Sequence, residues 1–310
     1  MSSSFAAKEL QLLAERLAAA AINGEAWPNV VGNKSSTVVV GAGGSFPAAD
    51  FIARVLRYQG TVARSAFPLD AVGPEQRLIA VSYSGSSADV VEAIRIFRRT
   101  SKGQVVSVTR SLDCEVASSA DIAAVHGVAY DESQPSTAAE RGFLSFAATA
   151  APAAAFLAAT HSKWEQTKAV ADIANITAGD IEVVATGWAW PAALDVESKW
   201  IEANLGQVTV HEAKNLSHGR FQSLLSSSRQ VLLLTAGTPS KYSTHLMTLL
   251  RSRGNLSTVH CSAPGPEGGL ALLTSVQALA VHVGDSLGID VSKPRHIFKE
   301  GVALNKWRWN

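Results

Sequence analysis

Ser36-Thr37-Val38-Val39-Val40-Gly41-Ala42-Gly43-Gly44-Ser45 passes from a β-branched run into a glycine-rich turn, and a helical pattern follows from Pro47 to Tyr58. Strand, glycine turn and helix in that order open a βαβ unit. The theme repeats downstream. Arg77–Val81 is an apolar strand, Ser82-Tyr83-Ser84-Gly85-Ser86-Ser87 a polar turn, and Ala88 to Arg98 a helix. Gln104–Thr109 and Asp121–Val125 supply further strands. Short apolar strands alternating with helices imply a parallel sheet covered on both faces.

Working outward, the theme restarts after His161. Strands are expected at Asp180–Thr186, Gln207–Val210, Gln230–Leu234 and Ser257–Cys261. Helices are expected from the Gly187-Trp188-Ala189-Trp190-Pro191 turn to Asn204, near Leu246–Arg253, and over Leu270–Leu287. Upstream, Leu10, Leu13 and Leu17 mark an amphipathic helix over Ala6–Ile22. The fold class is therefore α/β, with two tandem doubly wound parallel-sheet lobes built as flavodoxin-like three-layer sandwiches. The expected domains are 1–165, including the N-terminal helix, and 166–310, including the C-terminal tail.

The composition agrees with that size. The 310 residues are 47% hydrophobic and 17% charged, enough apolar mass for two cores and too much for disorder. A formal net charge of +1 gives no electrostatic case for nucleic acid or an acidic membrane surface. Ala147–Ala159 is too short to span a bilayer and reads as a packed core helix. Cys114 and Cys261 sit in no metal-type spacing, and so low a cysteine count fits a reducing cytoplasm better than secretion. No metal site is expected.

Two loops carry chemistry. Gly41–Ser45 presents backbone N–H groups before a helix N-terminus, an arrangement that suits an anion. It lacks both the Gly-Lys-Ser/Thr ending of a nucleotide P-loop and the last glycine of a dinucleotide fingerprint. Ser82, Ser84, Ser86 and Ser87 crowd the second loop. Helix capping explains one or two serines there but not four. Hydroxyls together with helix N-terminal amides make a cradle for a phosphate monoester.

Val81-Ser82-Tyr83-Ser84-Gly85-Ser86-Ser87-Ala88-Asp89 resembles the I-S-x-S-G-x-T-x-D signature of sugar isomerase (SIS) domains, and Gly41–Ser45 resembles their preceding G-x-G-x-S loop. Trp190-Pro191-Ala192-Ala193-Leu194-Asp195 is similar to that family's Y-P-x-A-L-E, and Lys199 to Glu202 falls on its K-L-K-E. Ser217-His218-Gly219 stands where the family has K-H-G-P, with His218 sixteen residues after Glu202. Pro294-Arg295 and Lys299 fall on its P-R-x-x-x-K. Two tandem SIS lobes of this length resemble the isomerase half of glutamine–fructose-6-phosphate aminotransferase. Stand-alone relatives include aminosugar-phosphate deaminases and fructosamine-6-phosphate deglycases.

The resemblance implies an activity and a site. Aldose–ketose interconversion moves a proton between C1 and C2 and needs a base that reaches both carbons. By resemblance Glu202 is that base, and His218 and Lys299 serve ring opening and proton traffic. Gly43, Ser45, Ser82, Ser84 and Ser87 hold the phosphate, with the backbone amide of Tyr83. Asp195 and Arg295 pair in structural support. A homodimer with active sites at the subunit interface is implied, since the family's histidine comes from a neighbouring subunit. The partner is a small-molecule sugar phosphate, the location cytoplasmic, and no metal or organic cofactor is required.

Read without the resemblance, Glu202 is a glutamate on an ordinary helix, His218 a structural histidine and Lys299 a solvated lysine. His211 and Glu212 read as strand-end, surface positions, and Trp188, Trp190 and Trp200 as core packing. Ala139-Glu140-Arg141-Gly142-Phe143 replaces the family's S-T-K-x-F, which points to altered specificity. Isomerase, deaminase and deglycase readings stay open, as does a non-catalytic sugar-phosphate-binding regulator.

Overall fold

The computed structural model describes residues 5–24, 27, 30, 34–70, 73–126, 146–161, 169–173, 176–226, 229–252 and 255–291. Among these, one compact unit comprises 15–160 and the other 5–14 with 161–291. The expected boundary at 165/166 lies outside the described residues.

The first unit holds strands β1 (Thr37–Gly41), β2 (Ala63–Ala66), β3 (Arg77–Val81), β4 (Gln104–Thr109) and β5 (Ile122–Val125), in the order β2-β1-β3-β4-β5. All pairings are parallel. Every residue of β1 and β3 is buried, as two-sided coverage of a parallel sheet demands. Helix α1 (Phe5–Gly24) contributes residues 15–24 to this unit, which also holds helices α2 (Phe46–Tyr58), α3 (Ala88–Thr100) and α4 (Phe146–Thr160). Val90, Val91, Ile94 and Phe97 of α3 pack on Val38, Val40, Leu78 and Ala80, one face of the sheet. Helix α2 packs against β1, β2 and α4.

The alanine-rich composition of α4 has a packing reason. Small side chains let backbones approach closely, and a Cβ on Gly24 would stand 2.0 Å from the carbonyl oxygen of Ala155. Thr149 of α4 then donates its hydroxyl to the Gly44 carbonyl at 2.7 Å, tying the helix to the glycine-rich turn.

The second unit holds β6 (Val170–Asp172), β7 (Ile181–Ala185), β8 (Val208–Glu212), β9 (Gln230–Ala236) and β10 (Leu256–Cys261), in the order β6-β10-β9-β7-β8. Its longer helices are α5 (Trp190–Glu202), α6 (Lys241–Arg251) and α7 (Gly265–Ser286). Read from β8, this sheet repeats the first one, with one change at the far edge. That edge is filled by β6, which precedes the other strands in the chain and runs antiparallel to β10. The expected all-parallel pattern therefore holds for β7 to β10 and gives way at β6.

The structure moves His211 and Glu212 away from the surface positions expected of them. His211 is not at the surface but buried, with Nε2 2.7 Å from Oε2 of buried Glu182. Arg229 donates to the other Glu182 oxygen at 2.9 Å. A carboxylate inside a sheet requires such partners, and β8 places His211 diagonally across from Glu182 on β7. Glu212 is half-buried and caps the following turn by accepting the Asn215 N–H at 3.0 Å. Trp200 is buried with its indole N–H on the Gly179 carbonyl at 3.0 Å, while Trp188 and Trp190 are half-buried.

Candidate active site

In the first sheet the chain turns one way from β1 to β2 and the other way to β3. The crevice between the carboxyl ends of β1 and β3 is thus the switch point where open α/β sheets take ligands. Gly41–Ser45 leaves β1 there and Ser82–Ser87 leaves β3. Gly43 has φ +53° and Gly85 φ +71°, a region that favours glycine. A Cβ at Gly85 would also meet Sγ of Cys114 at 2.2 Å.

The two loops touch. The Tyr83 N–H donates to Oγ of buried Ser45 at 3.4 Å. Ser82 is buried, Ser84 exposed and Ser87 half-buried. Oγ of Ser84 accepts the Ser86 N–H at 3.3 Å and the Ser86 hydroxyl at 3.1 Å. Ser45 and Ser87 occupy the N-cap positions of α2 and α3, yet neither hydroxyl makes a capping bond. Capping does not account for these serines.

The matching crevice of the second unit differs. There the β9 loop ends in Ser240, whose Oγ caps α6 by accepting the Ser243 N–H at 3.0 Å. Its hydroxyl is committed to the fold.

Behind the first crevice stands a residue that the sequence did not reveal. The buried Tyr83 ring stacks on His126, with centroids 5.2 Å apart and planes at 20°. Burial, helped by the charge of Arg110, pushes the His126 imidazole down to about 3, so it is neutral. No local motif marks His126. Its role comes from the topology, which ends β5 beside the loop after β4, where the Arg110 N–H donates to the Tyr83 carbonyl at 3.3 Å.

The acid–base candidates lie in the second unit. Asp195, Lys199 and Glu202 recur at helical spacing along one side of α5. Nζ of Lys199 stands 3.3 Å from Oδ1 of Asp195, both side chains being buried. The sequence reading gave Asp195 to Arg295, which lies outside the described residues, as do Lys299 and Ala139–Phe143. Ser198 donates its hydroxyl to Oε1 of Glu202 at 3.0 Å. Oε2 of Glu202 is buried with no hydrogen-bond partner among the described residues. Burial raises this carboxyl to about 7, against the opposing pull of the Lys199 charge and the Ser198 hydrogen bond. That value suits a general base working near neutrality.

His218 is exposed in a wide turn over Leu216–Arg220, with Gly219 at φ +100°. The preceding backbone is tied down. Ser217 donates to the Lys214 carbonyl at 2.6 Å and the Tyr242 hydroxyl to the Ala213 carbonyl at 2.6 Å. Burial raises the Tyr242 phenol, so it stays a donor at neutral pH.

No family model matches the chain, and no curated protein does. Solved structures match over nearly its whole length. The C-terminal domain of glucosamine-fructose-6-phosphate aminotransferase from Francisella tularensis aligns at 14% identity and TM-score 0.70, over 93% of this chain and 98% of that one. Glucosamine-6-phosphate deaminase from Thermotoga maritima aligns at 15% identity and TM-score 0.68, over 95% and 98%. Tagatose-6-phosphate ketose/aldose isomerase from Escherichia coli aligns at 13% identity and TM-score 0.66, over 96% of both chains.

The chain has the tandem SIS fold. Within this fold the first unit carries the serine-rich loops, and the second carries the Glu202 carboxyl and the His218 turn. Among the described residues, no helix of the SIS fold is long and apolar enough to cross a membrane.

Proposed function

We propose that the chain binds a hexose or aminosugar 6-phosphate and moves a proton between its C1 and C2, as an isomerase or an aminosugar-phosphate deaminase. The observation that supports it most directly is the half-buried Glu202, whose carboxyl has one oxygen held, a buried oxygen without a partner among the described residues, and a proton affinity raised to about 7.

In this reading Ser45, Ser82, Ser84, Ser87 and the Tyr83 region grip the phosphate and fix the sugar's far end. Glu202 takes the proton from C2 of the open-chain aldose, leaving an enediol, and returns it to C1 to give the ketose. With a 2-amino sugar the same step gives an enolamine. Return of the proton to C1 gives an iminium at C2, and water displaces ammonia there. His218 and Lys299 serve ring opening and proton traffic at the oxygens, in a homodimer that brings His218 from the neighbouring subunit. The three solved structures compared above are named for glucosamine-fructose, glucosamine and tagatose 6-phosphate chemistry, which supports this substrate class.

The test incubates the purified protein in deuterated water with hexose, aminosugar and fructosamine 6-phosphates, followed by proton NMR. Deuterium enters C1 or C2, or ammonia is released, and Glu202→Gln lowers that rate by about 10³-fold, within the range of a lost general base. Binding without exchange at any carbon would replace catalysis with sugar-phosphate sensing.

A further inference from the structure

Hydroxyls inside helices ordinarily turn back onto the carbonyl one turn earlier. This chain does so repeatedly. Ser275 bonds the Ala271 carbonyl at 2.7 Å, Thr248 the Thr244 carbonyl at 3.0 Å, and Thr100 the Ile96 carbonyl at 3.0 Å. Ser198 on α5 does otherwise. Its hydroxyl proton goes forward to Oε1 of Glu202.

Lys199, the nearest cation on the helix, is engaged with Asp195 and acts on Glu202 through charge rather than contact. Lys199, Asp195 and Glu197 are the charged groups that act on Glu202. None does so from α7 or from the strands packed against α5, among the described residues. A carboxylate with one oxygen bonded loses rotational freedom about its last torsion and presents the other oxygen in one direction.

We propose that Ser198 is a positioning residue, which holds Oε1 of Glu202 and leaves Oε2 as the atom that takes and returns the substrate proton. The inference rests on Glu202 being the base. Ser198 itself touches no reacting atom. Its hydrogen bond favours the ionised carboxylate over the neutral acid, which keeps a buried base usable at neutral pH.

The test follows the Glu202 carboxyl directly, by carbon-13 NMR titration of the full-length chain labelled at glutamate side-chain carboxyls. Glu202→Gln identifies the signal, and Ser198→Ala and Ser198→Thr are compared with the parent. In Ser198→Ala the Glu202 midpoint rises by about one pH unit, the size expected from losing one hydrogen bond to a carboxylate. The acid limb of the pH–rate profile rises with it. Turnover at neutral pH falls about three- to tenfold with KM unchanged, and Ser198→Thr restores both. An unmoved midpoint in Ser198→Ala, or a Ser198→Thr variant that behaves like it, overturns the proposal. Circular dichroism checks that each variant is folded. Exchange lost in Glu202→Gln but indifferent to Ser198→Ala removes the Ser198 inference alone. A parent enzyme whose exchange does not depend on Glu202 removes the base and the inference together.

Discussion

Glu202 bears on stability as well as on the proposed proton transfer. Its folded carboxyl binds a proton up to about pH 7, whereas an unfolded glutamate releases it near 4.5. Between those values the native state holds more protons than the unfolded chain, so rising pH withdraws stability. At pH 8 the ionised carboxyl costs as much as ~3 kcal/mol, and below about pH 4.5 it costs nothing. Glu202→Gln is therefore more stable than the parent in urea unfolding at pH 8, and the gap closes as the pH falls towards 4.5. A gap of constant size at all pH values would mean that burial does not perturb this carboxyl. The sequence identified Glu202 by its place in a pattern. It could not reveal the perturbation, which comes from burial, nor the Ser198 hydrogen bond, which depends on a rotamer.

The loops before α3 and α6 show what the order of residues alone leaves undecided. Ser87 and Ser240 each stand just before a helix, and both look like caps in the sequence. Backbone angles separate them. Ser240, at ψ 160°, turns its hydroxyl onto Ser243, while Ser87, at ψ 113°, makes no capping bond. Ser240→Ala should cost about 1 kcal/mol of stability and leave affinity for inorganic phosphate unchanged. Ser87→Ala should change stability by less than about 0.5 kcal/mol and weaken phosphate binding several-fold. Chemical denaturation and calorimetric titration read the two quantities separately, and a Ser87 variant that only loses stability would make Ser87 a cap after all. The serine-rich loop and its strand were legible because the apolar run and the turn residues agree. Strands β2 and β6 were not. Ala63-Arg64-Ser65-Ala66 carries a charge and a hydroxyl on an edge, and all three residues of β6 are exposed, so neither shows the apolar signature of a buried strand.

At the scale of the whole chain, one arrangement is used twice. A glycine turn follows β1 in one sheet, at Gly43, and β7 in the other, at Gly187, and each turn leads into a thirteen-residue helix with proline in its first turn. That repetition was readable, because strand–turn–helix signals recur with the same spacing. The direction of the outermost strand was not, because pairing of β6 with β10 is a long-range choice between distant segments. It matters for how the chain can be divided. In the second sheet the fifth position is filled by residues that come before everything they complete. A fragment begun at residue 177 keeps β7 to β10 but strips β10 of its outer neighbour, leaving a row of unsatisfied N–H and C=O groups open to any extended strand. In gel filtration that fragment should run as a concentration-dependent oligomer, and one begun at 161 as a smaller species. Equal behaviour of the two would show that β6 does not guard the edge. Those few residues act as a stopper: the second sheet ends where it does because a segment made earlier in the chain already occupies the place that another molecule would take.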